Sequence, residues 1–379
     1  MEILPYTAAH ADFRSALRTF CNKEIIPYID SWEANHQVPK NVWQKMGRAG
    51  FLCTAVAPAY GGLGGDFLYS LIALEEVART NHYGLDAFLH SDIVVPYIET
   101  YGSAEQKQKY LPGCVSGDIV TAVAMTEPDA GSDLAGMMTT AMEDNGSVIL
   151  NGTKTFISNG VICDLVVLAA KNPQAESPHQ AISLYLVEAD TPGFKKGAAM
   201  EKLGVRSQDT NELYFSDCRI PAANRLGDRG AGFRMLMAKL QQERLLVAAL
   251  ALTRAEFIFD WTMNYFKRSA EKNIDQAVRF ALADIASRLT IGRTFIETLV
   301  RDHMDGRHVV NRISMAKYWL TDLANQVGGE CLDLVGPAGL SEECPIVRTF
   351  RDVRVMPIFA GTNEIMKSII AKSLFESRK

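Results

Sequence analysis

The feature that most constrains this chain is a change in hydrophobic pattern, which divides its 379 residues into three zones. Residues 1–118 space their apolar side chains about one helical turn apart, as at Phe13, Leu17, Phe20 and Ile25. Residues 119–226 contain short runs rich in Val, Ile, Phe and Tyr between turn residues, which is typical of strands. Residues 227–379 return to helical spacing in long segments. The sequence therefore predicts an α+β protein with a helical N-terminal domain, an antiparallel β middle domain and a C-terminal four-helix bundle.

Composition narrows the class of protein. Apolar residues make up 47% of the chain, charged residues 22%, and the net charge is −5, values typical of a soluble globular protein. This charge argues against nucleic acid or an anionic membrane surface as the main partner, and no apolar run reaches transmembrane length. The N-terminus lacks a basic segment followed by an apolar core, so we predict no signal peptide. The seven scattered cysteines form no C-x-x-C pair, which favours reduced thiols in the cytoplasm over disulfides or a zinc site.

The middle zone contains a strong hairpin signal at Asn151-Gly152, which stands between two apolar runs. A two-residue hairpin turn needs positive φ at both central positions, and Asn-Gly meets that need. Phe156 and Ser158 alternate along the strand that follows, so we expect them to share one face of the sheet. An aromatic ring and a hydroxyl on one face can hold a planar ring system, although the hairpin needs no function to explain it.

Two glycine-containing loops are candidate ligand sites. The segment GGLGG at 61–65 follows no strand and belongs to no G-x-G-x-x-G motif, so we interpret it as a tight turn. The segment AMTEPDAGSD at 124–133 follows a predicted strand. It is either an ordinary polar loop or a site at which Thr126, Gly131 and Ser132 offer hydroxyls and backbone N–H groups to a planar, polar ligand.

The segment FAGTNEI at 359–365 predicts the start of the last helix. Thr362 is placed to cap this helix and Glu364 lies in its first turn, which is favourable capping chemistry by itself. The exposed N–H groups at such a helix start can also hold a carbonyl oxygen or a phosphate. Both interpretations, a structural cap and a binding site, fit the sequence.

One carboxylate stands on the apolar side of the first bundle helix. Helical spacing places Glu243 in one stripe with Leu236, Leu240, Val247 and Leu250. Arg244, the next residue, is turned about a quarter-circle away. A lone carboxylate among packed apolar side chains is costly unless it is paired, protonated or facing a cavity. Glu243 is therefore either half of a structural ion pair between helices or a general base whose pKa is raised toward neutral by burial.

Five segments, taken in order, resemble the acyl-CoA dehydrogenase family: AMTEPDAGSD, NGTKTFISNG, KLGVRSQDTNELYFSDCRIP, GFRMLMAKLQQERLLVAA and RDVRVMPIFAGTNEI. The resemblance covers essentially the whole chain, and RSQDTNEL, QERLLVA and GTNEIMKSIIAKSL are similar to the long-chain branch. It implies a helical N-terminal domain, a β-barrel-like middle domain and a C-terminal four-helix bundle. It also implies a flavoprotein oxidoreductase of fatty acid β-oxidation that binds FAD and converts a saturated acyl-CoA thioester into the trans-2-enoyl thioester.

The family's reaction requires a glutamate that removes the α-proton while a hydride leaves Cβ for the flavin. In most members this glutamate immediately precedes the Gly-Thr of the last motif, where this chain has Ala360. In the long-chain and isovaleryl branches it stands on the first bundle helix instead, in a Glu-Arg pair. Glu243 and Arg244 match that pair, so the resemblance implies that Glu243 is the catalytic base.

The resemblance also implies binding residues. The expected contacts to FAD are Met125, Thr126, Gly131, Ser132, Phe156, Ser158, Thr362 and Glu364. The expected contacts to acyl-CoA are Ser132, Arg244, Ala360 and Gly361. The backbone N–H of Ala360 is expected to donate a hydrogen bond to the thioester oxygen and so to stabilise the enolate that develops there.

Two departures from the family concern contacts that relatives make to the FAD of a neighbouring subunit. The segment 265–280 lacks an R-x-x-F-G motif, and Asp333 and Pro337 stand where relatives have the Gln and second Gly of Q-x-x-G-G. We therefore hypothesise weakened FAD retention, an altered interface or a hetero-oligomer in place of the homotetramer or homodimer that the family implies. The resemblance also implies an electron-transferring flavoprotein as acceptor.

Two alternatives to acyl-CoA oxidation remain open from the sequence. One is the same oxidation on an acyl group bound to a carrier protein. The other is a non-catalytic subunit that binds acyl-CoA or serves as a scaffold, which the altered interface motifs favour and the retained Glu243 disfavours.

Overall fold

The computed structural model describes residues 3–175, 177–268 and 274–376. The N-terminal part is helical, as predicted, and its helices are α1 (Ala8–Glu24), α2 (Ile29–Asn35), α3 (Lys40–Arg48), α4 (Phe67–Ala78), α5 (Val95–Tyr101) and α6 (Ala104–Ser116). A π-helical segment, Leu89–Val94, leads directly into α5. The glycine-rich segment at 61–65 is a loop that follows a short 3-10 turn, Pro58–Tyr60, rather than a strand, and Gly61 and Gly64 adopt positive φ in it.

The middle part forms one sheet of eight strands within the described residues. Its elements are β1 (Thr121–Ala124), β2 (Thr140–Asp144), β3 (Ser147–Ser158), β4 (Leu165–Lys171), the short helix α7 (Pro178–Ala181), β5 (Ile182–Glu188), β6 (Phe194–Lys196), β7 (Thr210–Pro221) and β8 (Arg225–Leu226). The strand order is β6-β7-β3-β2-β4-β5-β8, and β1 pairs with β4. Most neighbours are antiparallel, as predicted, but β1 runs parallel to β4. A parallel pair needs a long crossover, and here the chain between these strands contains β2 and β3.

The predicted hairpin turn at Asn151-Gly152 is wrong. These two residues lie inside the long strand β3, where the pairing with β7 is irregular. The turn from β2 to β3 is formed by Asn145-Gly146, whose φ angles of 46° and 81° are those of the expected turn type. Gly152 serves a different purpose, because a Cβ there would lie 2.5 Å from the Thr139 hydroxyl oxygen. The glycine permits a close approach between chain segments, which sequence alone does not distinguish from a turn.

The C-terminal part contains the predicted bundle. Its helices are α8 (Gly232–Arg268), α9 (Gln276–Met304), α10 (Val310–Val335), α11 (Pro345–Asp352) and α12 (Asn363–Glu376). The four long helices pack with α8 against α9 and α10, and α10 against α12. No helix among the described residues is both long and apolar enough to cross a bilayer.

Three apolar cores connect these parts. The first contains Trp43 of α3 and Val167 of β4, so it lies between the N-terminal helices and one face of the sheet. The second contains Leu71 of α4 and Leu246 of α8, so it joins the N-terminal helices to the bundle. The third covers the other face of the sheet around Phe215. Helix α8 is consequently enclosed by both helical parts, which is why its middle is apolar on every side.

Candidate active site

Glu243 lies in the buried middle of α8. The apolar stripe predicted for this helix is confirmed, because Leu236, Leu240, Val247 and Leu250 are all buried. The Glu243 side chain is itself only 8% exposed, and its Oε2 atom has no hydrogen-bond partner among the described residues. Burial raises the pKa of Glu243 to about 7, although the charges of Arg244 and Lys317 act in the opposite direction. The structure therefore presents a carboxyl group that is partly ionised at neutral pH.

Arg244 is buried too, at 7% exposure, although the sequence placed it off the apolar stripe. Every residue from Glu243 to Ala255 is buried, so in this part of α8 no face is exposed to water. The Arg244 Nε donates a hydrogen bond to the carbonyl oxygen of Ala360 at 3.3 Å. The charge is thus taken up by the loop that precedes α12 rather than by solvent.

The loop from Phe359 to Asn363 has an unusual backbone. Ala360 and Gly361 both adopt positive φ, at 56° and 90°. A non-glycine residue with positive φ is uncommon and is often found at functional sites. Lys317 of α10 donates from Nζ to the Gly361 carbonyl oxygen at 2.7 Å and to Asn363 Oδ1 at 3.1 Å. Arg244 and Lys317 therefore hold this loop from two different helices, beside the buried Glu243.

The start of α12 has the predicted cap. The backbone N–H of Ile365 donates to the Thr362 hydroxyl oxygen at 3.3 Å, which satisfies one of the free N–H groups of the first turn. Glu364 is exposed, and its own backbone N–H together with the Thr362 side chain holds its pKa below the usual value. The helix cap that the sequence predicted at Thr362 is therefore confirmed.

A second group of candidate residues lies at the edge of the sheet. Met125 and Thr126 follow β1, and the Thr155 N–H donates to the Thr126 carbonyl oxygen at 3.0 Å, which brings β3 beside them. Phe156 is 68% exposed and has a φ of 57°, at a point where the pairing of β3 with β7 shifts register. The Ser158 hydroxyl donates to Gln208 Oε1 at 3.3 Å. The result is an outward-facing aromatic ring beside hydroxyl and backbone polar groups.

Gly131 and Ser132 lie farther along the segment that begins at Met125 and connects β1 to β2. Both are exposed, and a Cβ added at Gly131 would meet no atom within 4 Å. The structure therefore collects the predicted residues into two groups. One is on the bundle, with Glu243, Arg244, Ala360, Gly361, Thr362 and Glu364; the other is on the sheet, with Met125, Thr126, Gly131, Ser132, Phe156 and Ser158. In the bundle group Arg244 binds the Ala360 carbonyl oxygen directly, whereas the hydrogen bonds cited for the sheet group run through Thr155 and Gln208.

Three residues of this region were missed by the sequence analysis. Lys317 supports the loop before α12, and a lysine inside the apolar run SMAKYWL was a visible signal. Lys154 is buried and donates to the Met125 carbonyl oxygen at 3.0 Å, which fixes the start of the second group. Tyr97 is buried with a hydroxyl that has no partner among the described residues, and both burial and the nearby Glu243 carboxyl raise its pKa. No local pattern indicated Tyr97, because it approaches Glu243 only through the fold.

Comparison with known proteins defines the class. The acyl-CoA dehydrogenase N-terminal domain matches residues 7–118, the middle domain matches 122–218 and the C-terminal domain matches 230–375. The chain therefore belongs to the acyl-CoA dehydrogenase family, as the motifs predicted. The enzymes of this family are oxidoreductases of fatty acid metabolism.

Individual relatives agree over nearly the full length. The chain is 43% identical over 374 residues to the mitochondrial long-chain specific acyl-CoA dehydrogenase of Mus musculus, covering 97% of this chain and 87% of the relative. The crystal structure of acyl-CoA dehydrogenase from Geobacillus kaustophilus superimposes with a TM-score of 0.95 at 48% identity, covering 98% of this chain and 99% of the other. A glutaryl-CoA dehydrogenase from Mycobacterium smegmatis in complex with FADH2 superimposes with a TM-score of 0.90 at 26% identity, covering 98% and 95%.

Proposed function

We propose that this chain catalyses the FAD-dependent α,β-dehydrogenation of a saturated acyl-CoA thioester to the trans-2-enoyl thioester, with Glu243 as the base. The observation that carries the role of Glu243 is its buried carboxyl, which has a pKa near 7 and a free Oε2 atom. General bases work best when their pKa lies near the operating pH. Burial supplies that pKa here.

The surroundings of Glu243 favour proton uptake. In its ionised form the carboxylate is a charge removed from water, and accepting the substrate's α-proton makes it neutral. The same desolvation that raises its pKa therefore favours the proton transfer. The unpartnered Oε2 is the atom that we assign to this transfer, because no other group of the described chain competes for it.

The loop of Ala360 and Gly361 is the proposed site for the thioester carbonyl. Proton removal from the α-carbon develops negative charge on that oxygen, and a fixed N–H donor there is worth about 3–4 kcal/mol. We assign this role to the Ala360 N–H. Arg244 binds the Ala360 carbonyl oxygen and Lys317 binds the Gly361 carbonyl oxygen, so both act as positioning residues that fix the loop beside Glu243. Ser132 lines the proposed acyl-CoA site from the sheet.

The residues at the sheet edge suit a flavin. Phe156 presents a ring that is 68% exposed, its positive φ is a conformation that in non-glycine residues concentrates at functional sites, and the space around Gly131 is open. We assign the ring contacts to Met125, Thr126, Gly131, Ser132, Phe156 and Ser158, and further contacts to Thr362 and Glu364 at the start of α12. When bound, FAD supplies the acceptor for the hydride that leaves Cβ of the substrate.

The remaining assignments follow from the family. We propose an electron-transferring flavoprotein as the acceptor, a cytoplasmic location, and a homotetramer or homodimer, with a hetero-oligomer as the alternative. Asp333 and Pro337 are exposed at the end of α10, where another subunit can reach them. The segment that lacks the R-x-x-F-G motif lies partly outside the described residues, at 269–273.

A visible spectrum of the purified protein tests the proposed reaction. We expect a flavin band, present on purification or after addition of FAD, that bleaches when a saturated acyl-CoA is added. Failure of the protein to hold FAD, or a band that no acyl-CoA in a chain-length series bleaches, would contradict the proposal. The same titration with an acyl group loaded on a carrier protein separates the two substrate forms, because the preferred form bleaches the band at lower concentration.

A further inference from the structure

An internal cavity lies farther along α8 from Glu243. Leu250 and Arg254 line it, together with residues of the segment 82–92. They stand seven and eleven positions after Glu243, so all three project from nearly the same side of the helix, and the separation from Glu243 to Arg254 is about 16 Å at 1.5 Å per residue. The side of α8 that carries Glu243 therefore also carries the two residues of α8 that line this cavity.

Three hydrogen bonds form two connections between the cavity wall and the proposed active site. Gln242, beside the base, donates from Nε2 to the Asp92 carbonyl oxygen at 2.7 Å, and Asp92 lines the cavity. On the other side, Gln208 donates from Nε2 to Asp86 Oδ2 at 2.6 Å and accepts from Ser158 at the sheet edge. The cavity wall is thus bonded both to the neighbour of the base and to a proposed cofactor contact.

Arg254 brings unused donors to this cavity. It is 1% exposed, and its Nη2 donates to the His82 carbonyl oxygen. Its Nε and Nη1 atoms have no hydrogen-bond partner among the described residues, while its guanidinium lies 5.3 Å from the centre of the Tyr83 ring. A buried guanidinium with free N–H groups is expensive to leave unpaired. The two free nitrogens therefore point to an acceptor that the described chain does not supply, a buried water or a ligand oxygen.

Asp86 brings an unpartnered carboxyl oxygen to the same cavity, and burial raises the pKa of this carboxyl to about 8. It is buried and lines the cavity with Arg254. Gln208 binds one of its carboxyl oxygens, Oδ2, while Oδ1 has no partner among the described residues. Free N–H donors of Arg254 and an unpartnered carboxyl oxygen of Asp86 consequently border the same cavity.

A hydroxyl matches this arrangement better than the other groups that end an acyl chain. It accepts from Arg254 and, being both donor and acceptor, pairs with Asp86 in either protonation state, whereas a methyl group leaves both residues unpaired. A carboxylate is disfavoured because the Arg254 guanidinium already has three carboxyl groups near it, those of Asp352, Asp86 and Glu33. The space open to the centre of a water molecule is about 20 Å³, which is room for about one water or one hydroxyl.

We propose that the acyl site of this chain is built for acyl groups that carry a hydroxyl at the end remote from the thioester, received by Arg254 and Asp86. The proposal rests on the proposed dehydrogenase function and specifies its substrate class. Sites built to hydrogen-bond a substrate hydroxyl reject the analogue that lacks it strongly. Recognition here thus depends on the far end of the chain as well as on the thioester.

The test compares ω-hydroxyacyl-CoA thioesters with plain acyl-CoA thioesters of the same number of chain atoms, from butanoyl to hexadecanoyl, on the FAD-loaded wild-type enzyme. We expect kcat/KM for the hydroxylated thioester to exceed that of its plain partner at least about tenfold at one chain length. Equal or greater kcat/KM for every plain thioester overturns the inference, and so does a preference for the ω-carboxyl thioester over the ω-hydroxyl one. If no thioester of any kind reduces the flavin, the proposed dehydrogenase function itself fails.

Variants of the two cavity residues test whether they cause the preference for the hydroxylated thioester. In Arg254→Met and in Asp86→Asn, the ratio of the two kcat/KM values should fall toward one. In the control Arg288→Met, which removes an arginine on α9 that pairs with Glu330, the ratio should keep its wild-type value. An unchanged ratio in both cavity variants overturns the assignment. If neither cavity variant folds, the wild-type comparison above still decides the substrate class.

Discussion

Two buried glutamates, Glu127 at the sheet edge and Glu243 on α8, have opposite environments. Glu127 is 5% exposed and Glu243 is 8% exposed, so burial alone does not separate them. Lys154 Nζ lies 2.8 Å from Glu127 Oε1, and the Thr139 N–H also donates to that oxygen. Glu243 lies near charged residues but its Oε2 atom has no hydrogen-bond partner among the described residues.

The two pKa values differ accordingly. Burial by itself would raise the pKa of Glu127, but the charge and hydrogen bond of Lys154 together with backbone N–H groups bring it below the usual value. For Glu243 burial prevails and the pKa rises to about 7. In this pair, the carboxylate met by a lysine and backbone donors is the structural one, and the carboxyl with an unpartnered oxygen is the candidate base.

Removing Lys154, which pairs with Glu127, should have the largest effect on stability. In Lys154→Met, Glu127 is left as a buried charge without its cation, and we expect a loss of about 3–5 kcal/mol in the free energy of unfolding. Chemical unfolding at neutral pH measures this. The control is Lys109→Met, because Lys109 pairs with Glu188 at 2.7 Å on the surface and should cost less than about 1 kcal/mol. Equal losses in the two variants would contradict the comparison.

Neutralising Glu243, whose Oε2 atom has no hydrogen-bond partner among the described residues, should instead raise the free energy of unfolding. The pKa of Glu243 rises from 4.5 to about 7 on folding, so between these values the folded protein binds more protons and the wild type loses stability as pH rises. Glu243→Gln escapes this loss. We expect it to match the wild type near pH 4.5 and to exceed it by roughly 3 kcal/mol above pH 7. Unfolding curves across this range check the trend, and a variant that is less stable than the wild type at pH 8 would refute it.

Shortening the base should be milder than removing it. Glu243→Asp keeps the carboxyl but withdraws it by one methylene from the substrate, and a displacement of about 1 Å costs on the order of 10²-fold in rate. We expect flavin bleaching to slow by about 10- to 100-fold with little change in the concentration of acyl-CoA that half-saturates it. A rate equal to that of the wild type would show that the carboxyl position is unimportant.

The smallest expected effect concerns a neighbour of the base. The positive charge of Lys317 lowers the pKa of Glu243, so Lys317→Gln should raise that pKa by less than about one unit. The midpoint of the pH–rate profile should move upward by the same amount. Lys267→Gln, at an exposed lysine in the last turn of α8, is the control and should leave the midpoint in place. A downward shift of the midpoint in Lys317→Gln would contradict the conclusion that Lys317 lowers the pKa of Glu243.

The same two glutamates show how much of the structure can be predicted from the sequence. The burial of Glu243 was predictable, because helical spacing puts it among four apolar residues of one helix. The pairing of Glu127, which lies in the loop after β1, was not, because Lys154 lies 27 positions away on β3 and only the fold brings them together. The three-part fold followed from local periodicity, whereas the parallel pairing of β1 with β4 depends on contacts between strands distant in sequence.

Two further differences have physical causes that local pattern does not contain. Asn151-Gly152 has the composition of a turn, yet Gly152 is required by its approach to Thr139. Arg244 was placed away from the apolar stripe, yet α8 is enclosed on all sides and its charge is met by the Ala360 carbonyl oxygen. In both cases the deciding contact comes from a segment distant in sequence or from the packing of the whole domain.

The rate of flavin bleaching in a single turnover, measured for the wild type and for Glu243→Gln, tests the central claim most directly. We predict that the wild-type rate rises with pH through a midpoint near 7, because the ionised carboxylate is the active form. We predict that Glu243→Gln binds the same acyl-CoA but bleaches about 10²- to 10⁴-fold more slowly. Bleaching by Glu243→Gln at the wild-type rate would contradict the assignment of Glu243 as the base.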